Sequence, residues 1–76
     1  MTAELIREAY RGEQRIARFR CFDDDGLSVV EAEVTPADGG AAVVRGPYRF
    51  QTAHEAFRFL QEAMLALQYL GCSISA

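Results

Sequence analysis

The sequence contains no lysine: its eight cationic side chains are all arginine, set against eleven acids for a net charge of −3. The glycine-containing stretch 39–46 is therefore no phosphate loop, because that motif needs a lysine on the phosphates. An acidic chain is also a poor start for non-specific nucleic-acid binding, which depends on neutralising several phosphates. Absence of lysine beside twelve alanines matches codon bias in a GC-rich, bacterial-type genome and says nothing about chemistry.

Histidine and cysteine are scarce too. One histidine and two cysteines, Cys21 and Cys72, with no CxxC pair, do not make a four-ligand zinc set. His54-Glu55-Ala56-Phe57-Arg58 opens like HExxH but ends in arginine, which removes the second ligand. The run Asp23-Asp24-Asp25-Gly26 puts Ser28 and Val34 where a calcium loop requires glycine and glutamate, so it reads as a solvated turn. No nucleophile stands beside an activating base, and no carboxylate pair occupies contrasting environments. We therefore expect a non-catalytic chain without metal or cofactor. No apolar run reaches the roughly 18 residues of a membrane span, and MTAELIREAY has no leader-like apolar segment. The expectation is a cytoplasmic protein with reduced thiols.

The chain is 76 residues long, half of them hydrophobic and a quarter charged, which is the composition of one small globular domain. Its periodicities predict a helix over 2–11, strands over 13–23, 27–35 and 41–50, and a long helix over 53–70. The first helix would start at Thr2 and stop at Gly12, with Leu5, Ile6, Ala9 and Tyr10 on one side.

In the first strand Ala17, Phe19 and Cys21 alternate with Ile16, Arg18, Arg20 and Phe22. An Asp25-Gly26 turn then joins it to the second in a hairpin. Cys21 faces Val30, Phe19 faces Ala32 and Ala17 faces Val34 inside; Arg20 faces Glu31 and Arg18 faces Glu33 outside. Through Pro36-Ala37-Asp38-Gly39-Gly40, with Ala37 opposite Ala41, Val34 meets Val44 and Glu33 meets Arg45. Gly46-Pro47 marks an edge or a bulge.

Thr52-Ala53-His54-Glu55 is a capping box, and Gly71 stands at the C′ position. The long helix lays Ala53, Ala56, Phe57, Leu60, Ala63, Met64, Leu67 and Leu70 on the sheet. The fold expected is a two-layer α+β domain in the order α-β-β-β-α. That order is shared with double-stranded-RNA-binding domains as topology only, since Thr52–Ala56 lacks their basic cluster.

Two surfaces are candidates for function. Phe59, Leu65, Ala66 and Tyr69 lie off the main helical stripe, so either the first helix or a partner covers them, and we expect a homodimer. The alternative is a nucleic-acid face of Arg18, Arg20, Arg45 and Arg49 with Phe22 interleaved, although Glu31 and Glu33 stand among them. Cys21 should point inward, and Cys72, beyond the helix stop, should be the more exposed thiol.

Overall fold

The computed structural model describes residues 4–36 and 39–75. Its elements are β1 (Leu5–Arg11), β2 (Gln14–Asp24), β3 (Leu27–Val34), β4 (Val43–Phe50), α1 (Ala53–Tyr69) and β5 (Ser73–Ser75). They form one antiparallel five-stranded sheet in the spatial order β4-β3-β2-β1-β5, with α1 on one face. The order is β-β-β-β-α-β, which overturns the expected α-β-β-β-α and with it the topological likeness to RNA-binding domains.

Of the segment expected as a helix over 2–11, Leu5–Arg11 is strand β1 and Glu4 precedes it; the proposed cap, Thr2, lies outside the described residues. Gly12 does not stop a helix. With φ of +63° it takes the first central position of a two-residue turn that pairs Arg11 with Gln14, the geometry of a type II′ hairpin. A helix of ten residues is marginal alone, whereas β1 bonds to β2 on one side and β5 on the other.

The β1–β2 ladder slips between Ala9, opposite Ala17, and Tyr10, opposite Arg15. Ile16 is the extra residue of this bulge and packs on the core. It therefore leaves the outer face to which strict alternation assigned it.

The β2–β3 hairpin agrees with the sequence pair for pair: Cys21–Val30, Phe19–Ala32, Ala17–Val34, Arg20–Glu31 and Arg18–Glu33. Asp25 and Gly26 both have positive φ, as a type I′ turn requires. The next ladder departs from expectation. Val43, not Val44, lies opposite Val34, Val44 faces Glu33, and Arg45 faces Ala32. From Val30–Tyr48 onward the register moves by one across a bulge at Gly46-Pro47, whose peptide is cis. The proposed partner of Ala41, Ala37, lies outside the described residues.

Helix α1 begins as the capping box indicates: Thr52 Oγ1 accepts from the Glu55 amide at 3.1 Å, and its hydroxyl donates to the Glu55 carboxylate at 3.0 Å. It ends with Cys72 N–H on Leu67 O and Gly71 N–H on Gln68 O, both at 3.0 Å, a Schellman motif with Gly71 at C′. That turn sends the chain under the helix end into β5. Cys72 is consequently buried in the core cluster with Ala9, Phe19 and Leu60, the reverse of its expected exposure. Cys21 is half-buried, and burial, with a smaller contribution from Asp23, pushes its thiol pKa up.

A single helix has to travel from the β4 edge of the sheet to the β5 edge. Seventeen residues span about 25 Å, and five strands at ~4.8 Å spacing place the outer two about 19 Å apart. Helix α1 thus crosses the sheet obliquely, touching β4, β3, β2 and β5. Its width of ~10 Å leaves corners of the apolar face open on either side.

Candidate interaction surface

Along α1, Ala56 and Leu60 are fully buried, and Ala63, Met64 and Leu67 are half-buried. Ala53, Phe57 and Leu70 were expected in that stripe but are exposed; Ala53 and Phe57 border an open hollow beside Cys21, Phe22 and Ser28 on one flank of the helix. The opposite side of the helix carries Arg58, Glu62, Leu65 and Tyr69, spaced so that they form one line. Arg58 and Glu62 make an ion pair at 3.4 Å, and beyond it the line turns apolar. Leu65 is 64% exposed and Tyr69 92%. Leu70 at 63% and exposed Ala66 flank them.

The four residues proposed from sequence as a partner surface therefore divide. Phe59 is half-buried beneath β4, its ring 5.0 Å from Tyr48 and 5.4 Å from Phe50 between centroids. Leu65, Ala66 and Tyr69 stay together and open. Among the described residues no N-terminal helix covers them, since Leu5–Arg11 is built into the sheet.

Between the C-terminal half of α1 and the Val34 end of β3 runs an open, mainly apolar groove of about 470 Å³. Phe19 and Ala17 make its floor, with Ile16, Val34, Ala63 and Ala66 at its sides. Arg11 lies at one end, its guanidinium 3.4 Å from the Leu70 carbonyl oxygen. Where Phe59 fills the space between helix and sheet farther up, Ala63 and Ala66 leave it empty. Sequence reading missed this groove; the small residues on one flank of the helix were its only trace.

The other face of the sheet holds most of the alternative set. Arg18, Arg20, Phe22 and Arg49 lie on it, but pairing with Ala32 puts Arg45 on the helix side. The Arg20 guanidinium sits 4.9 Å above the Phe22 ring and 2.9 Å from Glu4. Arg49 is 3.3 Å from Asp24, and Arg15 is 2.7 Å from Glu8 and 3.5 Å from Glu33. Arginines here alternate with acids, and Phe22, the aromatic needed for base stacking, lies under a cation. The hydrogen bond from Arg20, helped by its charge and that of Arg18, holds the Glu4 carboxyl below the usual carboxylate range. A folded-state pKa below the unfolded value of about 4.3 stabilises the fold above that pH, and the contribution disappears as pH falls through the folded value. In an NMR titration, Arg20→Ala should move the Glu4 midpoint upward; an unchanged midpoint would mean that the pair does not form in solution.

Among the described residues, no cluster of histidine, cysteine, aspartate or glutamate could hold a metal ion, and no helix is long and apolar enough to cross a membrane. His54 is exposed in the first turn of α1. Asp23 and Asp24 engage Ser28 and Arg49. No family model matches the chain, and neither a curated protein nor a solved structure matches it.

Proposed function

We propose that this chain is a non-catalytic module that works by protein association, as a homodimer joined through the outward side of α1. The observation that carries the reading is the line of Leu65 and Tyr69, open to water on a helix with no second layer above it. Scattered apolar residues on a surface are ordinary; a contiguous group of them on one helical face marks a contact site.

A partner identical to the chain needs no further component, and two-fold dimers are the commonest soluble assemblies.

Light scattering at micromolar concentration should return about twice the 8.4 kDa chain mass. Tyr69→Glu places a charge in the contact and should raise the dimer dissociation constant at least ~30-fold, the effect of losing an aromatic hot spot. Its circular dichroism should stay native, because Tyr69 packs on nothing within its own chain. A strict monomer whose Tyr69→Glu variant keeps full stability rejects the proposal. In filter binding at low salt, retention of single- or double-stranded nucleic acid would favour the sheet face instead.

A further inference from the structure

We infer that the groove between α1 and the Val34 end of β3 is the seat for α1 of a second copy, so that the dimer forms by insertion of a helix ridge and not by contact of two helices alone. The inference rests on the self-association proposed above and specifies its geometry.

Ridge and groove belong to the same side of the same chain. Tyr69 and Leu65 stand out along the crest of α1, and Ala63 and Ala66 form the low flank beside them, with apolar floor beyond. A two-fold axis between the copies can therefore place each crest in the other's groove and satisfy both contacts at once, as a self-complementary interface requires. The five-stranded sheet is about twice as wide as one helix, so each sheet would then carry two helices, its own and its neighbour's. This arrangement covers Val34 and the open sides of the groove as well as the crest; the floor, Phe19 at 7% and Ala17 at 5%, is already buried. Helix-to-helix contact alone would leave the groove, Val34 and Val43 in water, with Val34 38% and Val43 41% exposed in the single chain.

Charge fits the same placement. Arg11 at the groove's end has no carboxylate partner within ion-pair distance among the described residues; its guanidinium makes a long contact, 3.4 Å, to the Leu70 carbonyl oxygen. Arg45 is exposed on the helix side of β4. The incoming ridge brings Glu62, which in the single chain is paired at 3.4 Å with exposed Arg58 of the same ridge. A cationic rim thus meets a ridge with an acid one turn from its apolar tip.

The experiment mixes two separately tagged single variants, Val34→Cys and Tyr69→Cys, under mild oxidation and with a short bifunctional maleimide. Native chains serve as background, since Cys72 is buried and Cys21 half-buried. The expected result is a mixed Val34→Cys/Tyr69→Cys product in at least tenfold excess over either self-product. A dimer by mass that yields no mixed product, but in which Leu65→Cys chains crosslink to themselves, overturns the groove seat and leaves the homodimer standing. A monomer by mass that yields neither product removes both.

Discussion

Leu60→Ala is expected to lower the melting temperature by more than about 10 °C, the larger of the two stability effects argued here. Leu60 is 1% exposed and is the only large side chain of α1 that is completely buried. It joins the helix to the cluster of Ala9, Ala17, Phe19, Ala32 and Cys72. Removing a buried leucine costs about 2–5 kcal/mol through lost transfer free energy and the cavity left behind. A chain of this length has roughly 4–11 kcal/mol of stability in total. Small residues surround the site, with alanine on three neighbouring strands, so little can collapse into the space and the upper part of the range applies. Met64→Ala, half-buried on the same helix, is the control and should cost clearly less. Equal losses from the two in thermal denaturation at fixed protein concentration would mean that α1 is not anchored where it is placed here.

Gly46→Ala should destabilise the fold by about 1–3 kcal/mol, the cost of forcing a side chain into a disallowed backbone region. Gly46 has φ of +94°, and a β-carbon there would stand 2.9 Å from the Tyr48 amide nitrogen and 3.0 Å from the Val30 carbonyl oxygen. Both are backbone atoms, so relief would require moving β3 against β4. Those strands hold Tyr48 and Phe50 over Phe59, and loosening them frees the N-terminal half of the helix. Urea denaturation should show a lower midpoint, and Gly12→Ala, in a turn where a β-carbon meets nothing within 4 Å, should lower it less. A Gly46→Ala midpoint equal to the native one would mean that the bulge is misplaced.

Local chemistry decided which parts of this fold could be read in advance. The β2–β3 hairpin was legible to the residue because alternation excludes a one-residue slip and the two-residue Asp25-Gly26 turn selects among the registers that keep each residue on its face. Both ends of α1 were legible for a similar reason, since a capping threonine and a C′ glycine act within a few residues of themselves. Strand β1 was not. Its helix-side residues are Leu5, Arg7 and Ala9, and its outer residues Ile6, Glu8 and Tyr10, so each face mixes polar with apolar and the period of two vanishes. Leu5, Ile6, Ala9 and Tyr10 then imitate a helical stripe. The missed signal was Gly12-Glu13, a two-residue turn with glycine in first place.

Longer-range effects were beyond such reading. Strand β5 is three residues long and exists because the Schellman turn delivers it to the free edge of β1. The one-residue slip opposite Val34 is set by the bulge at Gly46-Pro47, several residues away. Of the candidate surface, Leu65, Ala66 and Tyr69 could be picked out as surplus apolar area, whereas covering Phe59 depended on where β4 lies. The groove arises from the angle of α1 across the sheet, which no local pattern encodes.

The most direct measurement is the environment of position 69 in solution. The chain has no tryptophan, so Tyr69→Trp gives a single indole on the crest of α1. At micromolar concentration its emission should be blue-shifted and poorly quenched by iodide, moving to the spectrum of a water-exposed indole on dilution as the copies separate. An indole that is fully exposed and freely quenched at every concentration would contradict the account.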